Sequence, residues 1–378
     1  MISKRASLSP RERERRHRAL RQAMAEAGFD VLLFASLGHD NQRGPVRYVS
    51  NWRSPTFSDY VLLPRNGEMT LCTHYPKYVD LAREHCGVES AVATPYGQED
   101  SAVIARLLAD WGAKRVGLVS PATTSAKFYQ SLLAGLPAGV ETVDATELFE
   151  AVRCTKSEEE IALIREAAKL GDLAFETFCE AVRPGRREYE VLADVEHALR
   201  LRGAEEVFFI VGSGERPVNR FWDMADRTLQ QGDTVIFCIE HCASGGYWSQ
   251  FVRTVTLGPP REDVRRTYGV LHQALRRAEE SLRPGVLACE VARMITETVT
   301  SAGLKEGNHA GHGQGLDIVE APFLGSTNQT PLAAGMHMIL HPHVAFAEGG
   351  GLWVGDPYLV TASGPVRLTA TPQDLIQI

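Results

Sequence analysis

Glu240, His312 and His341 are the side chains whose types and settings best suit acid–base work in this chain. Glu240 follows Cys238 by two residues in the apolar run TVIFCIE, so on a regular strand both point to one face. His312 lies in GHGQG, where Gly311, Gly313 and Gly315 let a substrate or backbone come close. His341 and His343 alternate along HPH and share a face unless Pro342 distorts the strand. A histidine protonates a leaving nitrogen near neutral pH, and a nearby carboxylate raises its pKa toward that role. Cys238-x-x-x-Cys242 with His241 between them has the look of a metal clip, but Cys238 and His241 fall on opposite faces of a strand. The plainer roles are a small buried hydrophobe for Cys238 and a strand-end glutamate reaching solvent for Glu240.

Two kinds of element must position these groups. Before Ala151, strand-like runs at Asp30–Ser36, Tyr60–Pro64, Glu68–Cys72 and Arg115–Val119 alternate with helix-like runs at Leu20–Gly28 and Ala102–Trp111. This pattern predicts an α/β domain with a mixed sheet, residues 1–151. A second domain, 152–378, opens with a helix whose Ser157 and Glu160 have the spacing of a capping box. Within it VRPGRREYEVLADVEHALRLRGA echoes LRPGVLACEVARMITETVTSAGL. Arg183, Pro184, Gly185, Glu190, Val191 and Gly203 recur at Arg283, Pro284, Gly285, Glu290, Val291 and Gly303. One repeated pair is too few for a solenoid and predicts a duplicated α–β–β unit whose two sheets face one central site.

GDTVIFCIEHCASGGYWSQFVRTVTLG (Gly232 to Gly258) resembles the metal-binding strand pair of the creatinase and Xaa-Pro dipeptidase family, the pita-bread enzymes. VRCTKSEEEIALIREAAKL, GHGQGLDIVEAPF, AAGMHMILHPHVAF and VGDPYLVTASG resemble further landmarks of that family. The resemblance implies an α+β pita-bread domain after a creatinase-like N-terminal domain. Of the five metal-ligand positions only His312 keeps its residue. Cys238 and Gln250 stand for two aspartates, and His341 and Gly355 for two glutamates. Val319 replaces a substrate-binding histidine, and Phe221 is nearest to the position of an acid–base histidine.

From this loss the resemblance implies a metal-independent hydrolase that opens a non-peptide C–N bond of a small molecule, an amide, amidine or ureide, with no cofactor. Glu240, His312 and His341 would be catalytic. Cys238, Tyr247, Gln250, His343, Phe221, Arg53 and Phe57 would line the substrate site, the last two by likeness to a creatinase loop that reaches a partner subunit. Arg253 fits a structural ion pair better, and Asp356 is a further candidate. A lyase or decarboxylase, a non-catalytic binding protein, and a mononuclear zinc hydrolase using Cys238, His312 and His341 remain open alternatives.

A net charge of −7 argues against nucleic acid or an anionic membrane as the partner. The basic run Arg11 to Arg21 is interleaved with acids and predicts a solvated helix face. The absence of a long apolar segment and the seven scattered cysteines predict a cytoplasmic chain with reduced thiols, expected as a homodimer.

Overall fold

The computed structural model describes residues 8–36, 43–54, 58–94, 100–218, 220–221 (backbone only), 226–307, 309–346 and 349–378. They form two compact units, one ending at Arg153 and the other beginning at Cys154.

The N-terminal unit is built on a six-stranded mixed sheet. Its strands are β1 (Val31–Ser36), β2 (Asp59–Pro64), β3 (Thr70–Thr73), β4 (Ser90–Ala93), β5 (Arg115–Val119) and β6 (Glu141–Asp144), in the order β4-β3-β2-β1-β5-β6. β1 pairs antiparallel with β2 and parallel with β5. The helix Pro10–Ala27 starts where Ser9 accepts a hydrogen bond from the Glu12 amide and stops at Gly28, whose φ is 76°. Its basic face is not simply solvated. Arg16 is fully buried between Glu12 and the Tyr48 carbonyl, and Arg13 donates to the Cys86 carbonyl. A charge run read from sequence alone hides such clamps, because a guanidinium can cap distant carbonyls.

In the C-terminal unit the helix Glu158–Ala181 begins with the expected capping box. The Ser157 hydroxyl accepts from the Glu160 amide at 3.3 Å, and Glu160 accepts from the Ser157 amide at 2.8 Å. The repeat becomes two helix pairs, Glu158–Ala181 with Glu188–Leu201 and Glu262–Ser281 with Ala288–Ser301. Equivalent contacts pin both turns. The Gly185 amide donates to the Leu229 carbonyl and the Gly285 amide to the Leu332 carbonyl, each at 2.8 Å. The φ values of 93° and 89° at these glycines explain why Gly recurs there.

One sheet comprises β7 (Glu206–Gly214), β8 (Arg220–Phe221), β9 (Thr234–Cys242) and β10 (Trp248–Thr256), with the short β19 (Ile376–Gln377) at its edge. A three-stranded sheet holds β11 (Lys305–Glu306), β15 (His343–Ala345) and β16 (Gly351–Trp353). The third contains β12 (Gly311–Gly313), β13 (Glu320–Phe323), β14 (His337–Leu340), β17 (Asp356–Thr361) and β18 (Gly364–Arg367). Alternation sorts each strand. Val235, Phe237 and Ile239 of β9 pack in the core with the first helix pair, whereas Ile236, Cys238 and Cys242 pack with Ile318 and Trp353 from the second half. Met338 and Leu340 of β14 pack with the second helix pair, which leaves His337 and Ile339 on the other face. A β-bridge between Val252 and Gly355 joins the two halves.

Candidate functional site

Glu240 lies on the face of β9 turned toward the second half, opposite Phe208 of β7 and Gln250 of β10. It is 3% exposed, so it does not reach solvent as a strand-end glutamate would. Gln314, two residues beyond His312, donates its side-chain amide to the Glu240 carboxylate at 2.9 Å and to the Ile318 carbonyl at 3.0 Å. Burial pushes the Glu240 carboxyl up to about 8, with the Gln314 hydrogen bond pulling the other way. The carboxyl is therefore mostly protonated at neutral pH. Its bonded partner is Gln314 rather than a histidine, and the β12 loop that supplies Gln314 also carries His312.

Cys238 and Gln250, which hold the aspartate positions, are engaged with each other. The Gln250 amide donates to the Cys238 sulfur at 3.5 Å. Burial, and then the nearby Glu240, push the thiol well above its usual value. His241 faces the helix side, with its Nε2 2.8 Å from the Ala167 carbonyl. Among the described residues no three His, Cys, Asp or Glu side chains already converge on a point that would hold an ion. The Cys238, His312 and His341 set is thus not assembled.

The histidine cluster sits across the unit. His312 donates Nδ1–H to the Gly313 carbonyl at 2.8 Å, which leaves its Nε2 lone pair free to accept. Burial pushes its pKa down to about 4. His341 is 1% exposed and neither ring nitrogen has a hydrogen-bond partner. Burial, then the neighbouring His312, His309 and His343, hold it well below the ordinary value. The His312 and His341 ring centroids are 5.3 Å apart, and His309 stands 4.8 Å from His341 and 6.0 Å from His312. Pro342 does distort the HPH run. β14 ends at Leu340 and His343 belongs to β15 in another sheet, so His341 and His343 do not share a strand face. Both still pack beside Trp353, whose indole N–H donates to the His341 carbonyl at 2.8 Å.

The remaining sequence candidates have settled positions. Tyr247 is buried, with its hydroxyl donating to Glu160 at 2.7 Å, so it braces the capping glutamate of the first helix. Arg253 forms a fully buried ion pair with Asp356 at 2.9 Å and also donates to the Gly355, Val252, Pro372 and Thr371 carbonyls. That accounts for both residues structurally. Arg53 is half-buried in the segment after the helix Gly44–Ser50, beside Trp52, whose indole donates to Asp59 at 2.8 Å. Phe57 and the Phe221 side chain lie outside the described residues. His309, Gln314 and Trp353 were not singled out from sequence. His309 lies three residues before His312 and Gln314 two after it, so their nearness in sequence is a signal, whereas only the fold brings Trp353 to the cluster.

These donors do not fit a two-ion centre bridged by carboxylates. None of the five positions holds a carboxylate, the Gln250 amide is spent on the Cys238 sulfur, and the Gly355 position is closed. A Cβ there would stand 2.7 Å from both the His341 Cβ and the Leu340 carbonyl oxygen.

The model of metallopeptidase family M24 matches residues 162–362. The chain belongs to this family. The creatinase/prolidase N-terminal domain model matches residues 16–155. The chain is 33% identical over 296 residues to the probable dipeptidase PepE of Mycobacterium tuberculosis, covering 74% of this chain and 79% of that protein. It is 31% identical over 234 residues to the Xaa-Pro dipeptidase of Pyrococcus furiosus, covering 61% and 67%. The structure of dipeptidase PepE from Mycobacterium ulcerans superposes with a TM-score of 0.84 at 28% identity, covering 99% of this chain and 100% of that one. The pita-bread architecture stands. So does the hydrolase class, but the expected metal-independent attack on a non-peptide C–N bond does not. These relatives are dipeptidases, whose scissile bond is a peptide, and they come from a metallopeptidase family. Substituted ligand positions do not imply a changed substrate, because a ligand position carries no information about the bond that is cut. The lyase and binding-protein alternatives gain nothing from these relatives.

Proposed function

We propose that the chain hydrolyses the peptide bond of a small peptide, a dipeptide by likeness to the named relatives. The observation that carries this reading is Glu240, a buried carboxyl held by Gln314 from the His312 loop, its pKa raised by burial to about 8. Peptide hydrolysis needs one group to take a proton from water and another to give one to the leaving amine. Glu240, protonated below about 8, supplies the proton to the amine. His312, neutral above about 4 with its Nε2 free, accepts from water, and His341 orients the reacting groups beside it. Activity then spans the window in which the histidine is neutral and the carboxyl protonated. Cys238, Gln250, Tyr247, His343 and Phe221 belong to this reading as substrate-contacting candidates. Cytoplasmic location and a homodimer, with Arg53 and Phe57 completing the substrate site from a partner, belong to the same reading.

Release of free amino acids from a panel of dipeptides, with proline and non-proline second residues, tests the proposal. Wild-type turnover and a loss of at least ~10²-fold in Glu240→Gln, with thermal stability retained, support it. No turnover of any dipeptide, or equal rates for the variant, would sink it.

A further inference from the structure

Lys156 and Glu320 are buried together although they lie 164 residues apart, and the reaction proposed above uses neither. The Lys156 ammonium donates to Glu320 Oε2 at 2.7 Å. The other carboxylate oxygen, Oε1, accepts the Leu316 amide at 2.8 Å and the Asp317 amide at 3.2 Å. Gly315 admits this contact because it has no side chain. A Cβ there would stand 2.5 and 2.6 Å from the two carboxylate oxygens. A buried ion pair is a poor source of stability, since apolar side chains of similar volume often serve as well. Apolar side chains, however, cannot accept the two amides of this turn.

Gln314 opens the same turn, and its backbone is fastened on both sides. Its amide donates to the His337 carbonyl and its carbonyl accepts from His337 Nδ1, each at 3.1 Å. The next carbonyl, that of Gly315, accepts the Trp248 amide of β10 at 2.8 Å. From this anchored start the Gln314 side chain reaches the Glu240 carboxylate at 2.9 Å and the Ile318 carbonyl at 3.0 Å. Ile318 ends the turn that Glu320 closes, so opening the turn removes one of the two acceptors that aim the amide.

We infer that Glu320, held by Lys156, is a positioning residue: it closes the turn 314–318 and thereby keeps the Gln314 amide on Glu240. It touches no substrate and acts through Gln314. The inference rests on Glu240 being the acid of the dipeptidase reading.

Two double variants of the full-length protein separate the acceptor from the charge. Lys156→Met with Glu320→Gln removes both charges and keeps an oxygen for the turn amides. Lys156→Met with Glu320→Leu removes that oxygen as well. In dipeptide hydrolysis the first should stay within ~2-fold of wild type. The second should lose ~10–100-fold in kcat with KM within ~2-fold, because a displaced acid slows the chemistry without weakening ground-state binding. Gly315→Ala leaves both charges in place and pushes the carboxylate off the turn. It should show the same loss, and it serves where the apolar pair folds poorly. Adding Gln314→Leu to either disrupting variant should cost nothing further, since the path runs through Gln314.

Proton exchange of the Gln314 side-chain amide supplies a readout without substrate. It is followed by NMR on protein carrying 15N-labelled glutamine, with the signal assigned by its loss in Gln314→Leu. Exchange should quicken at least ~10-fold in the two disrupting variants and match wild type in Lys156→Met with Glu320→Gln. Unchanged exchange in both disrupting variants, equal kcat losses in the two double variants, or a multiplicative loss on adding Gln314→Leu would each overturn the inference. A protein that turns over no dipeptide would sink the dipeptidase reading alone, because amide exchange still tests the clamp.

Discussion

The two halves of the C-terminal unit are built alike and filled differently. Each begins with a helix pair joined by an Arg-Pro-Gly turn, and each presents strands whose outer faces pack on those helices. On the inner face of the first half, Gln250 donates to Cys238 and Glu240 receives Gln314, and the Gln250 side-chain oxygen has no partner among the described residues. In the second half, His337 and His341 keep ring nitrogens without partners. The repeat therefore fixes caps, turns and outer faces, while the inner faces are free to change. A scaffold of this kind outlasts the donor set it once presented, because the helix cores do not touch those positions.

The tie between the halves gives the sharpest way to break this picture. Arg253 of β10 and Asp356 of β17 are both fully buried, and removing one partner strands the other charge. Arg253→Met should lower unfolding free energy by ~3–5 kcal/mol in urea titrations, and a loss under ~1 kcal/mol would mean the halves hold together without it.

Protonation separates Glu240 from the buried histidines of both halves next. Burial lowers His312 and His241 to about 4 and His337 to about 3, below the unfolded value near 6.5. These groups stabilise above pH 6.5 and lose that contribution as pH falls toward 4. Glu240 runs the other way. Its folded value of about 8 exceeds the unfolded one, so its contribution is present at low pH and fades as pH rises through 8. Urea midpoints should fall steeply below pH 6.5 in the wild type, and the decline toward pH 8 should flatten in Glu240→Gln. A flat acid limb would show that the histidines are solvated.

Smaller effects refine the comparison. Gly355→Ala should cost ~1–3 kcal/mol by overpacking, and pairing it with His341→Ala should restore little, because the Cβ that alanine keeps at 341 and the Leu340 carbonyl still obstruct the new methyl group. Full restoration would place the obstruction in the imidazole ring rather than in these atoms. Ser157→Ala removes one cap and should cost about 1 kcal/mol, the least of the series.

Much of this architecture is legible in the residues themselves. Ser157 with Glu160, the glycines at 185 and 285, and the alternation that turns Cys238 and Glu240 inward all follow from local rules of capping, φ and strand period. The site is legible only in part. Trp353 reaches it through tertiary packing, Pro342 sends His343 into a separate sheet, and Arg16 vanishes from the surface by capping a distant carbonyl. None of these leaves a periodic signal. The bond that is cut was illegible for a different reason: residue types at the centre constrain proton transfers, whereas substrate choice rests on the shape around them.

The most direct measurement of the account is the pH dependence of kcat/KM for dipeptide hydrolysis in wild type and Glu240→Gln. If Glu240 gives its proton to the leaving amine, wild-type kcat/KM falls as pH rises through about 8, and the residual activity of the variant shows no such fall. A wild-type profile level through pH 8, or the same fall in both proteins, would contradict it.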